Sequence, residues 1–274
     1  INFKNGILNL DTMELVPHNK DTIIINQIPH NYNPNAYDET MDKTLNKLTC
    51  YDSGLRTAIC EMIGFTMYRR NELRKSFVLL GDRANGKSTL IKCIQNMLGE
   101  NNYSSLDLKE VNERFKTASL FCKCANIGDD ISDGFMENTS VFKKVVSGEA
   151  ITVNRKYQKP VTMTPRAKFY FSANSLPRLG KGRDTGALVD RMIVIPFNAS
   201  FSKDDPDFDP FIKYKLREEP VIEALLVKCV AHLRDVLANE AFTHCDAVAS
   251  EIKEFEVCNN PIIMFFDDLE EEDY

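Results

Sequence analysis

The sequence has no C-x-x-C pair, no internal repeat, no low-complexity tract and no excess of positive charge. No apolar run approaches the ~18 residues of a membrane-spanning helix, so a membrane partner is not expected. The net charge of -6 argues against a protein that coats nucleic acid along its whole surface. No charged-then-apolar leader follows Ile1, and because the first residue is not Met the chain reads as an excerpt of a longer protein. The eight cysteines (50, 60, 93, 122, 124, 229, 245 and 258) include a Cys122-Lys123-Cys124 step inside an apolar run. Without metal-ligand spacing they read as buried, reduced thiols. A chain this long can bury a core without staples, so the cytoplasm of a bacterium or host cell is the expected compartment. With 43% hydrophobic and 27% charged residues, disordered and collagen-like classes are excluded. At ~150 residues per domain, 274 residues suggest one to two domains.

Residues 1–36 read as short strands and turns, with Asn5-Gly6 as a hairpin signal. Residues 38–70 read as helical, apolar side chains recurring at three- and four-residue steps, with a break at Asp52-Ser53-Gly54. Short apolar runs then end at Gly81, Asp129-Asp130, Asn174 and Pro196; the second spans Leu120 to Ile127. A helix over Thr89–Leu98 stops at Gly99. Four buried strands alternating with helices predict an α/β fold with a parallel central sheet. Ligands of such sheets bind at the carboxyl ends of the strands, where polar or functional residues end three of these runs. Helical patterns near Val221–Ala238 and Ala247–Val257 follow, and six of the seven residues 267–273 are acidic. The expected division is a hairpin and helical region (1–70), a phosphate-binding core (71–200) and a helical segment with an acidic tail (201–274).

Gly81-Asp82-Arg83-Ala84-Asn85-Gly86-Lys87-Ser88 fits G-x-x-x-x-G-K-[ST] at every fixed position, with Thr89 next in the helix that follows. The glycines let successive N–H groups turn inward on phosphate oxygens, and the helix adds its amino-terminal partial charge. Lys87 brings a point charge to the β- and γ-phosphates of ATP, and Ser88 a hydroxyl to Mg2+. Of the acidic pair, Asp129 is assigned to the metal and Asp130 to the attacking water, with the reverse left open. Asn174 can bond the γ-phosphate or that water if its strand lies beside the phosphate-loop strand; otherwise it is a turn residue before Ser175-Leu176-Pro177. Arg191 is either a surface ion pair or an arginine finger, which if supplied to a neighbouring subunit requires a ring or filament.

Residues 143–191 hold eleven Lys and Arg against three acids, a local balance of +8 in an acidic chain. Residues 151–162 read as two strands around a basic tip, with Arg155, Lys156 and Lys159 available to a phosphate backbone and Tyr157 to a base.

The order of these motifs, through Phe171-Ser172-Ala173-Asn174 to Asp190-Arg191-Met192-Ile193-Val194-Ile195-Pro196-Phe197, resembles the superfamily 3 helicases of phage and plasmid primase-helicases, which are related to poxvirus primase-helicases. The resemblance implies an AAA+-like P-loop core assembled as a ring, usually a hexamer, around single-stranded DNA at a fork. ATP would lie between subunits, with Lys87, Asp129, Asp130, Asn174 and Arg191 catalytic. It also implies a primase domain or polymerase elsewhere in the full-length protein. Two departures stand out: Asp190 replaces the first of two arginines, and the acidic motif is Asp-Asp where relatives often end in Glu. The expected activity is ATP-dependent DNA unwinding. Its rivals are an AAA+-type protein remodeller and a non-enzymatic origin or single-strand binding module controlled by nucleotide.

Overall fold

A computed structural model describes residues 1–113, 115–130, 140–175, 185–205 and 208–259, with the backbone alone at Asn112, Asp129, Asp130 and Thr185. At the amino end, β1 (Asn2–Phe3), β2 (Gly6–Leu8) and β3 (Leu15–Val16) form a small antiparallel sheet. The hairpin forms one residue away from its expected place: Phe3 pairs with Gly6, so Lys4-Asn5 makes the turn and Gly6 belongs to the strand. The Asn5 side chain is engaged elsewhere, since its amide donates to Tyr32 O at 3.0 Å and its oxygen accepts from Tyr32 N at 2.9 Å.

Two helices follow, each started by an aspartate that accepts from a first-turn N–H. Asp38 caps α1 (Glu39–Leu48) and Asp52 caps α2 (Ser53–Met67). The break between them falls at residues 49–52, just ahead of the expected Asp52-Ser53-Gly54, because Asp52 is the cap and Ser53 and Gly54 already open α2; it turns through left-handed Cys50 and Tyr51. Helix α2 is almost wholly buried.

The central sheet consists of β4 (Ser76–Leu80), β5 (Tyr103–Ser104), β6 (Ala125–Asp130), β9 (Lys168–Ala173) and β10 (Met192–Pro196), in the order β10-β4-β9-β6-β5. Every pairing is parallel. Helix α3 (Lys87–Leu98) follows β4 and begins two residues earlier than the periodicity suggests. The run from Leu120 to Ile127 is not one strand. A 3-10 turn ends at Leu120, Phe121 is 60% exposed, Cys122 is left-handed, and the strand starts at Ala125. Before β9 come α4 (Ser140–Val146) and a separate antiparallel hairpin of β7 (Ile151–Arg155) and β8 (Gln158–Met163). Helix α5 (Thr185–Val189) precedes β10, and α6 (Ile212–Lys215), α7 (Glu219–Asn239) and α8 (Asp246–Asn259) complete the described chain.

The period-2 alternation of the strands divides the core between the two faces of the sheet. Phe77, Leu79, Ile127, Tyr170 and Ile195 pack with α2, α3 and α7, in a cluster that also includes Phe3 and Leu45. Val78, Phe169, Phe171 and Val194 pack on the other face with Phe142, Val153 and Phe255. One apolar cluster therefore draws on all three segments of the chain. The contact of α2 with α7 depends on Gly64, because a Cβ there would collide with Cys229 O. Among the described residues no helix is long and apolar enough to cross a membrane. All eight cysteines are free; five are buried, while Cys50 and Cys258 are exposed and Cys122 is partly so.

Candidate functional site

Because the sheet is parallel, the ends of β4, β6, β9 and β10 share one edge. In register, Leu80 faces Ala173 on one side and Pro196 on the other, and Asp130 faces Ser172. Gly81 N donates to Ala173 O at 3.0 Å, so Asn174, which is exposed, adjoins the start of the phosphate loop. The strand carrying Asn174 thus lies beside the phosphate-loop strand, the condition its functional reading requires. The backbone brings Asp129 and Asp130 to the same edge one strand further out, past a register shift. Their side chains lie outside the described residues, as do Leu176, Pro177 and Arg178.

The loop itself is shaped by close contacts. Gly86 has φ +90°, and a Cβ there would strike Leu48; one on Gly81 would strike Asn85 Nδ2 and Phe197 O. Lys87, 7% exposed, is folded back over the loop, where its Nζ donates to Gly81 O, to Asp82 O at 2.8 Å and to Asn85 Oδ1 at 3.2 Å. Its ammonium therefore stands among the oxygens of the loop that would cradle phosphates. Ser88 is exposed in the first turn of α3. Asp82, Arg83 and Ala84 are exposed around the bend and Thr89 is half-buried.

Behind the loop runs a segment with no motif of its own. Asn85 Nδ2 donates to Phe197 O at 2.8 Å, and Phe201 N donates to Ala84 O at 3.2 Å. The ring of Phe201 stands against Gly86. Residues 197–201 thus strap the phosphate loop to the end of β10. Only the apolar Phe197 and Phe201 flanking a polar stretch hint at this in the sequence.

Arg191 lies at the other end of the same strand. Its O accepts from Ser76 N at 2.7 Å, its Nε donates to Ser147 Oγ at 3.2 Å, and its guanidinium also donates to Ala187 O. Five strand residues at ~3.3 Å each separate it from the phosphate-loop edge. It is not brought together with its own chain's loop.

The basic hairpin forms as read from the sequence. Arg155 pairs with Gln158 across a Lys156-Tyr157 turn, Tyr157 is left-handed and fully exposed, and Arg155, Lys156 and Lys159 are exposed beside it. Val153 and Met163 anchor its base in the core. Strand β8 leads into the amino end of β9, so the hairpin is rooted at the sheet edge opposite the phosphate loop.

Not all of the basic stretch faces outward, and the count of eleven overstates the available charge. Lys168 is 1% exposed, and its Nζ donates to Tyr68 O at 2.8 Å, Arg70 O at 2.9 Å, Asn71 Oδ1 at 2.5 Å and Arg166 O at 3.3 Å. It also lies 4.4 Å from the centroid of the Phe65 ring. Burial pushes this amine down to about 7. Lys168 closes the carbonyl end of α2 and is a structural donor, not part of the exposed basic surface.

Two family models match the chain. One, described as D5 N terminal like, covers residues 1–50; the other, a family of unknown function (DUF5906), covers residues 79–191. A helicase-named protein of Acanthamoeba polyphaga mimivirus is 27% identical over 223 residues, 74% of this chain. The chain spans only 22% of that relative's length. Among solved structures, the apo NrS-1 C-terminal region (305–718) matches with a TM-score of 0.61 at 13% identity, over 83% of this chain and 54% of that one. An A form apo structure of the same region gives 0.63 at 13% identity, over 90% and 57%. At that identity the structures attest the fold, a parallel sheet flanked by helices. Beyond the fold, the likeness in sequence is to the D5 N terminal like model over residues 1–50 and to the helicase-named viral protein.

Proposed function

We propose that the chain is the motor region of an ATP-driven replicative DNA helicase of superfamily 3, working as an AAA+-like ring on single-stranded DNA. The observation that carries this reading is the division of labour across the sheet. A phosphate loop with its lysine, Asn174 and the Asp129-Asp130 backbone share one edge, and an exposed basic hairpin is rooted at the other. The helicase-named viral relative supports the same reading.

In the proposed mechanism the loop N–H groups and the amino end of α3 bind the triphosphate. Lys87 leaves its carbonyl partners for the β- and γ-phosphates, where its charge stabilises the transferring group. Asn174 orients the attacking water, and one carboxylate of the acidic pair accepts its proton. Mg2+ would be held by the Ser88 hydroxyl and Asp129, hard oxygen donors that suit it, and would neutralise phosphate charge. Arg191 stands about 16 Å from its own loop along β10, so its proposed role is on the nucleotide of a neighbouring subunit. The hairpin tip, with Arg155, Lys156 and Lys159 around Tyr157, suits a polyanion with stackable bases better than a polypeptide.

The test is displacement of one strand of a forked duplex by the purified chain with magnesium-ATP, run beside Lys87→Ala. Wild-type protein should hydrolyse ATP faster with single-stranded DNA present and separate the strands. Lys87→Ala should lose hydrolysis by two or more orders of magnitude while its melting temperature stays within a few degrees. Hydrolysis at the wild-type rate in Lys87→Ala would overturn the site.

A further inference from the structure

The carboxamide of Asn85 faces two ways. Its oxygen accepts from Lys87 Nζ at 3.2 Å, and its nitrogen donates to Phe197 O at 2.8 Å. The residue is 4% exposed, so neither bond competes freely with water. Phe197 is the first residue beyond β10, and its own N–H donates to Leu80 O at 2.7 Å. Four residues on, Phe201 N bonds Ala84 O and the Phe201 ring stands against Gly86. The amide thus joins the charge carrier of the phosphate loop to the strap over residues 197–201, and through it to a strand whose far end bears Arg191.

We propose that Asn85 is a positioning residue that reports the occupancy of the phosphate loop to β10; the inference rests on the nucleotide reading above. When a triphosphate draws Lys87 away, the carboxamide loses its cationic donor and keeps Phe197 O as its partner. With Lys87 on the loop the carboxamide must satisfy two partners at once; with Lys87 on phosphate it can align on Phe197 O alone, which tightens the strap. Without the side chain, loop and strap are left joined by the Phe201–Ala84 bond and the packing of the Phe201 ring. Nucleotide could still bind, but its binding would no longer be felt at residues 197–201. Asn85 touches neither the reacting atoms nor the water in this account. It acts through Lys87 and through the strap.

The experiment is hydrogen exchange of a peptide covering residues 197–203, in full-length chain with and without saturating magnesium-ATP, together with KM and kcat. In wild-type protein, ATP should slow exchange of this peptide several-fold. In Asn85→Ala, KM should rise about tenfold with a smaller fall in kcat, and at saturating ATP the peptide should exchange as it does without nucleotide. Asn85→Ser, whose hydroxyl can still donate towards Phe197 O, should recover part of the protection; it serves as the test variant should the alanine variant not fold. Equal ATP-dependent protection in wild type and variant overturns the proposal while leaving the nucleotide site intact. A wild-type chain that is folded yet does not bind magnesium-ATP overturns the nucleotide reading and this inference with it.

Discussion

At the scale of the residue, two buried lysines differ in what surrounds them. Lys87 is held among loop oxygens at a sheet edge, whereas Lys168 is enclosed by four oxygen acceptors and a Phe65 ring. The Lys168 amine is pushed down to about 7 from an ordinary 10.5 because burial disfavours its charged form. Between about pH 7 and pH 10.5 the unfolded chain therefore holds more protons at this site than the folded one. Its contribution to stability must rise with pH across that window, and below pH 7 the full cost of burying the charge is present. Replacing it with Met leaves the carbonyls of Tyr68 and Arg70 without this donor, at ~1–3 kcal/mol each where no water reaches them. We expect Lys168→Met to be less stable than wild type, by a margin that grows by at least about 1 kcal/mol from pH 7 to pH 9. Urea unfolding at three pH values measures it, and a margin independent of pH would mean that Lys168 keeps its proton throughout.

At the scale of the element, legibility followed how local the cause was. The ends of β4 and β9 could be read because an apolar run stops at Gly81 or Asn174, and the β7–β8 hairpin because alternating residues flank a basic turn. Strand β5 has two residues, too few for any pattern, and exists because it pairs with Ala125 and Asn126. The amino-terminal turn shifted because Asn5 is bonded to Tyr32, and the burial of Lys168 depends on carbonyls about a hundred positions away. The strap at 197–201 has the same origin, contacts with the loop at Ala84 to Gly86 that no local pattern encodes. The hairpin is the element with the clearest independent test. Its tip residues are exposed and its base is anchored by Val153 and Met163, so Arg155, Lys156 and Lys159 can be changed to alanine without disturbing the core. Affinity for a thymidine oligonucleotide should fall. If each side chain neutralises one phosphate, the log–log dependence of affinity on salt should become shallower by about 2, at ~0.7 per contact. ATP binding should be unchanged, because the hairpin is rooted at the opposite edge of the sheet. Fluorescence anisotropy across a salt series measures both effects, and an unchanged slope would move DNA binding elsewhere.

At the scale of the whole molecule, the sheet sets a distance that a single chain cannot close. Lys87 lies beyond the carboxyl end of β4, and Arg191 precedes the amino end of the neighbouring β10. Both strands are fixed in register, so no side-chain rotation carries the guanidinium to its own loop. Either Arg191 is a structural tie for Ser147 and Ala187, or it serves a phosphate on another copy of the chain. These alternatives separate when two defective proteins are mixed. Lys87→Ala should destroy the loop of its own subunit but still present Arg191 to the next; Arg191→Ala should keep its loop and fail its neighbour. Under sharing, each is inactive alone, and a mixed assembly contains interfaces that combine an intact loop with an intact arginine. We expect an equal mixture to regain a measurable part of the wild-type ATPase rate, rising with protein concentration as assembly is favoured. If the guanidinium is only a structural tie, Arg191→Ala should lose melting temperature before activity, and mixing should add nothing. A mixture as inactive as its parents, at concentrations where wild type assembles and hydrolyses ATP, would remove the shared site and with it the case for a ring built around this strand.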